Sequence, residues 1–202
     1  WPCLEWGRPK ALWGTMKRTC IAPAELNMAL HTRRQLTLGL GLGTLMPWLP
    51  THAQSPSEAA LEAKAPALPQ VGDGLSVPTI RLLNGQDFRH ERQPLLLYWW
   101  SSTCPFCALQ SPSMQTLWQS QKNRGLRMLA LSIDKKPEDA QAYLQKRGYT
   151  FPAAWASPEW RKQFPKPKGL PITLLMNSQQ KVLLAEKGQM FAEDVEAIAR
   201  LL

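Results

Sequence analysis

Cysteine is scarce in this chain. Its 202 residues hold four, Cys3, Cys20, Cys104 and Cys107, and only the last two lie close together. Four cysteines spread in this way are too few to build a disulfide scaffold. Histidine is scarcer still, with His31, His52 and His90. A structural zinc site needs four ligands, and after residue 53 the chain offers only Cys104, Cys107 and His90, so zinc is set aside for that part. His90 reads as a surface loop residue. No apolar run reaches the roughly 20 residues of a comfortable transmembrane helix; the best is LTLGLGLGTLMPWL over 36–49. Charge of a single sign is also missing. The net charge of +9 divides into +4 for residues 1–53 (six Lys or Arg less two acidic) and +5 for 54–202 (eighteen less thirteen). Mixed signs in the longer part exclude a nucleic-acid-binding stripe. Lys135–Lys136 and the group Arg161, Lys162, Lys166 and Lys168 read as a solvated face, with steering of an acidic partner as the alternative.

What is present begins with targeting. Thr32-Arg33-Arg34-Gln35-Leu36-Thr37 resembles the twin-arginine export motif of bacteria, and the apolar stretch 36–49 follows it. Thr51 and Ala53 are small residues that suit signal-peptidase cleavage before Gln54. Glycines at 39, 41 and 43 argue against a rigid core helix. Residues 28–53 are therefore expected to be a twin-arginine-type signal peptide directing the chain to the periplasm, with an uncleaved membrane anchor as the alternative. Met28 stands where such a peptide would begin, so residues 1–27, which lack periodicity, are expected not to be part of the native product. N-terminal sequencing of unprocessed precursor checks this. Residues 54–74 are rich in Ala, Pro and Glu and read as a linker or loosely attached arm. One domain is expected over 75–202.

Within that domain, Val77–Leu83 is apolar and Asn84-Gly85 is a turn signal before a short return over Gln86–Arg89. Pro94–Trp100 is almost wholly apolar, as suits a strand buried on both faces. A helix follows Cys107, with Leu109, Met114, Leu117 and Trp118 as apolar packing, a kink at Pro112 and a stop at Gly125. Arg127–Ile133 is a second buried strand, closed by Asp134. Pro137-Glu138-Asp139 opens a helix to about Arg147, with Ala140, Tyr143 and Leu144 on one face and Gly148 as its stop. Phe151–Trp155 suits a short strand, and Ser157-Pro158-Glu159 caps a short helix to Phe164. Residues 165–169 form a loop, and Ile172–Met176 and Lys181–Ala185 a hairpin across 177–180. Phe191–Leu202 reads as an amphipathic helix with Val195, Ile198 and Leu202 on one face. The order implies an α/β sandwich on a mixed sheet.

Cys104-Pro105-Phe106-Cys107 sits where a buried strand passes into a helix. The unpaired N–H groups of a helix N-terminus stabilise a thiolate, and Pro105 fits a first turn that needs no donor. One turn brings both sulfurs together. Cys104, nearer the helix start, is expected to be the exposed nucleophile and Cys107 the buried resolving thiol. No cofactor is needed beyond that redox-active pair. A Cu(I) site and an inert structural disulfide are the alternatives.

These residues resemble the thioredoxin superfamily over about 75–202, and most closely its exported TlpA/ResA-type thiol–disulfide oxidoreductases. The carrying stretches are WWSSTCPFCALQSP, GLPIT over 169–173 and the Asn84-Gly85 turn. The resemblance implies a thioredoxin-like fold, a mixed central β-sheet flanked by helices. It makes Trp100 an active-site packing residue and Pro171 a cis-proline lying against the disulfide. Gly169 and Leu170 would then offer backbone to a partner's extended chain. The expected activity is reduction of disulfides in specific periplasmic proteins, such as apocytochrome c or copper-assembly proteins. Its partners would be protein thiols and disulfides, with electrons from a membrane donor of the DsbD/CcdA type. No separate dimerisation domain is visible in the sequence, which argues against an isomerase of the dimeric kind, and a monomer is expected. Three departures stand out. Tyr98 replaces the buried Asp of thioredoxin and is no proton acceptor near neutral pH, which leaves water or Glu186 for the Cys107 proton. Thr103 replaces a Trp, removing an apolar platform for partners. Pro105-Phe106 brings no charge to tune Cys104. A dithiol oxidase of the same fold, a non-enzymatic Cu(I)-binding thiol chaperone and a peroxiredoxin-like peroxidase remain alternatives. The last would need a Thr where Ser101 stands.

Overall fold

The computed structural model describes residues 57–202. The readings of residues 1–27 and of the signal peptide at 28–53 lie outside the described residues. Among the described residues no helix is long and apolar enough to cross a membrane.

The uncharged stretch Leu95–Trp100 becomes β3, and all six of its residues are buried. Side chains alternate across a strand, so β3 feeds two cores. Leu96, Tyr98 and Trp100 face one, and Leu95, Leu97 and Trp99 the other. On one side β3 pairs in parallel with β4 (Arg127–Ser132), which pairs in parallel with β5 (Ala153–Trp155). On the other it pairs antiparallel with β6 (Ile172–Met176), and β6 with β7 (Val182–Lys187). The sheet order is therefore β5-β4-β3-β6-β7, a thioredoxin-like mixed sheet flanked by helices. Helices α2 (Pro105–Gln121), α3 (Pro137–Arg147) and α4 (Ala192–Ala197) contribute Met114, Leu144 and Val195 to the first core. The second is closed by a small antiparallel hairpin, β1 (Ile80–Arg81) and β2 (Asp87–Phe88), with Trp160 and Phe164 packed against Trp99. Gly85 takes φ +86 in the turn before β2, a conformation that glycine adopts freely.

Several expectations need correction. Leu109 does not pack inward; it is 63 % exposed. The buried residues of α2 are Cys107, Gln110, Ser111, Met114, Gln115, Leu117 and Gln121, which follow the three- and four-residue spacing of one helix face. One of its polar members, Gln110, reaches two partners in the core. Gln110 Nε2 donates to Thr173 Oγ1 at 2.9 Å, and Gln110 Oε1 accepts from Met190 N at 2.9 Å. The helix runs on through Pro112 to Gln121, and Gly125 ends the 3-10 turn after it. Near the C-terminus, Val195 and Ile198 are buried but Leu202 is exposed. There α4 gives way to a 3-10 turn over Ile198–Leu201, whose three-residue repeat breaks the shared face.

The stretch read as linker also differs. Glu58–Ala63 forms a short helix, α1, capped by Ser57, whose Oγ accepts from Ala60 N at 3.3 Å. Its acidic residues meet Arg161 and Lys166. These two are 5 % and 6 % exposed, so they are not part of a solvated face. Charge that enters a protein interior must be paired, and α1 supplies the pairing carboxylates.

Candidate active site

Cys104 and Cys107 form a disulfide with Cα atoms 5.2 Å apart. The strand–helix junction makes the two sulfurs unequal. Cys104 is the N-cap of α2, and its Sγ accepts from Cys107 N at 3.2 Å. It is half-buried, whereas Cys107 is 1 % exposed. Around Cys104 the rim is Thr103, Pro105 and Phe106, all exposed. Pro105 occupies the first turn of α2. Trp100 is fully buried behind the rim and packs on Tyr143 with ring centroids 5.4 Å apart.

The loop before β6 carries the remaining residues expected at the site. The Leu170–Pro171 peptide is cis. Gly169 takes φ +96, in the left-handed region that favours glycine. Leu170 is half-buried and lines a groove of ≈890 Å³ together with Ser101, Ser102, Thr103 and Cys104. Thus Thr103, Cys104 and Leu170 share one groove, Phe106 is exposed and does not line it, and Glu186 lies exposed on β7 opposite Thr173.

Tyr98 stands beneath the pair. Its hydroxyl donates to Cys107 O at 3.2 Å and meets Ser111 Oγ at 3.1 Å. Burial pushes its pKa far above the ordinary tyrosine value; the hydrogen bond with Ser111 opposes this in part, and the nearby Tyr143 and Tyr149 add smaller upward pushes. The phenol therefore stays protonated and orients the first turn of α2 as a donor.

One residue of the site was read only as the end of a strand. Asp134 is 7 % exposed and lines the groove. Its Oδ1 accepts from Ser101 Oγ at 2.7 Å, Ser102 Oγ at 2.8 Å and Ser102 N at 2.9 Å. Its Oδ2 accepts from Ser132 Oγ at 2.8 Å. The carboxylate thus ties the end of β4 to the segment entering Cys104. The signal in the sequence was the serine pair 101–102 followed at a distance by Ser132-x-Asp134, but nothing local says that they meet. The Ser101 hydroxyl, at the position where a peroxidatic site would need Thr, is committed to this carboxylate and to Thr103 Oγ1 at 3.0 Å.

A disulfide closed across the first turn of a helix, just past the end of the central strand of a thioredoxin-like sheet, defines a thiol–disulfide oxidoreductase of the thioredoxin superfamily. More narrowly, the model of the AhpC/TSA family matches residues 76–185, more than half of the chain, and the chain belongs to that family. It is similar to sporulation thiol-disulfide oxidoreductase A of Bacillus subtilis, with 24% identity over 171 residues, covering 82% of this chain and 96% of the relative. Two solved structures share the fold. A thiol:disulfide interchange protein of Chlorobium tepidum TLS has a TM-score of 0.59 at 16% identity, over 66% of this chain and 97% of its own. A secreted disulfide oxidoreductase of Mycobacterium tuberculosis, homologous to E. coli DsbE, has a TM-score of 0.55 at 15% identity, over 62% of this chain and 96% of its own.

Proposed function

We propose that this protein is an exported disulfide reductase of the TlpA/ResA type, acting on specific partner proteins outside the cytoplasm. The supporting observation is the inequality of the sulfurs: Cys104 half-exposed at the start of α2, Cys107 buried one turn on. In the reduced enzyme the Cys104 thiolate attacks a partner disulfide, forming a mixed disulfide and releasing one partner thiolate, which takes a proton. Cys107 then loses its proton to water and attacks Cys104 Sγ. The second partner thiol leaves and the Cys104–Cys107 disulfide closes. Two electrons pass from enzyme to partner. Gly169, Leu170 and Pro171 receive the partner's extended chain, with Thr103 and Phe106 at the rim. A membrane donor of the DsbD/CcdA type would return the pair to the dithiol.

Residues 28–53 as a twin-arginine-type leader and 75–202 as the catalytic domain complete this reading. The secreted mycobacterial relative supports the extracytoplasmic location. Titration of the Cys104–Cys107 pair against glutathione or dithiothreitol buffers tests the direction of electron flow. A potential near or below roughly −270 mV supports the reductase. One near roughly −120 mV would reverse the flow and make the protein a dithiol oxidase.

A further inference from the structure

Arg161 and Lys166 are buried cations beside the loop that ends in Pro171, and both are neutralised by α1. Arg161 grips Glu58 with two bonds, Nη1 to Oε1 at 2.8 Å and Nη2 to Oε2 at 2.7 Å. Lys166 Nζ donates to Glu62 Oε2 at 2.8 Å, to Pro167 O at 2.8 Å and to Gly169 O at 3.0 Å. The second oxygen of Glu62 accepts from Gly169 N at 2.6 Å. Glu62 and Lys166 therefore hold both the N–H and the C=O of Gly169, the residue before Leu170.

The arm has no other strong reason to be there. A six-residue helix is unstable alone, and none of its residues is buried. Its two glutamates stand four apart, on one face, and each meets a buried cation. The groove that holds Cys104 and Leu170 is also lined by Glu58 and Arg161. The ion pairs thus join the segment ahead of the domain to the wall of the redox site.

We propose that Glu62 and Lys166 are positioning residues for the redox reaction, holding the Gly169–Leu170 backbone ready to receive a partner's chain. The inference rests on the proposed reaction at Cys104 and on that loop as the rest for the partner. An extended chain binds such a loop through main-chain hydrogen bonds, and ordering a slack loop would weaken binding. A small dithiol meets only the sulfurs and does not sense the loop.

The test is Glu62→Ala in the full chain, comparing reduction of insulin disulfides with the reaction of the oxidised enzyme with dithiothreitol. Glu62 lies outside both hydrophobic cores, and the dithiothreitol reaction reports whether the fold around the disulfide survives the loss of the Lys166 partner. The expected result is a KM for insulin raised about tenfold, the scale of one lost charge-assisted hydrogen bond. The kcat and the dithiothreitol rate stay within about twofold. Glu62→Gln, which keeps an acceptor for Gly169 N–H, recovers part of the loss. An unchanged KM in Glu62→Ala overturns the proposal, and so does an equal fall in both reactions, which marks a merely structural role. If the wild-type chain itself fails to reduce insulin, the loop does not receive an extended chain of general sequence and this inference falls, while the reductase reading is decided by the potential of the Cys104–Cys107 pair. Wild-type activity with an indifferent Glu62→Ala sinks only the positioning role.

Discussion

Cys104 and Cys107 belong to the same turn of α2, yet one meets solvent and the other does not. Cys107→Ala is expected to leave Cys104 joined to partners as stable mixed disulfides, visible as thiol-sensitive adducts on non-reducing gels; recovery of none would remove Cys107 from the resolving role. Tyr98 holds a different kind of place. Its hydroxyl is a donor kept protonated by burial, so it takes no proton from Cys107, and Tyr98→Phe should leave the pH profile of the resolution step where it was. Asp134 is the residue on which most bonds converge near the nucleophile, with Ser101, Ser102 and Ser132 donating to it. Asp134→Ala leaves these donors unpaired in a buried place, each such loss costing about 1–3 kcal/mol. A fall of roughly 3 kcal/mol in urea unfolding is expected, and a change below about 0.5 kcal/mol would show that water serves these donors equally well.

At the scale of elements, the uniform apolar run of β3 and the turn chemistry at Gly85 and Gly148 were readable because each signal is local. The cysteine pair at the strand–helix junction was readable for the same reason. What failed to show was long-range. Asp134 is 32 residues from Ser102, and Glu58 is 103 from Arg161, so no window of sequence reveals that they meet. The arm therefore read as linker, and its buried cations as a solvated face. Leu109 was misplaced because apolar character was weighed above angular position, and α2 turns Gln110 and Ser111 inward instead. The difference is measurable in denaturant melts. Leu109→Ser should change stability by less than about 0.5 kcal/mol, while Met114→Ala, with no exposed surface, should cost about 2–5 kcal/mol. Equal losses at both sites would contradict the register of this helix.

For the whole molecule, the displaced titrations of Glu62 and Tyr98 bound the pH range of full stability from opposite sides. Partial burial pushes the Glu62 carboxyl up, but the hydrogen bonds from Lys166 and Gly169 N–H, with the charges of Lys166 and Lys168, outweigh it and bring it below its ordinary 4.5. A lowered carboxylate supports the fold above its ordinary pKa and loses that support as pH falls through the folded value, so docking of α1 should loosen in acid below 4.5. Tyr98 acts at the other end. Its folded pKa lies above the unfolded value of 10.0. Below that pH both states keep the proton and nothing is lost. Above it the unfolded chain releases the proton while the native phenol, buried against Cys107 O and Ser111, retains it. The unfolded state then binds fewer protons, and stability must fall as pH rises. One such group gives a slope of at most about 1.4 kcal/mol per pH unit. Tyr149, raised more weakly from partial burial, adds to it. Urea unfolding of the wild type between about pH 9 and 11 (roughly one unit on each side of an ordinary tyrosine) should show this decline, and Tyr98→Phe should flatten it. A slope that survives the substitution unchanged would mean that the hydroxyl beneath the disulfide reaches water, and that the first turn of α2 is not held by a permanent donor.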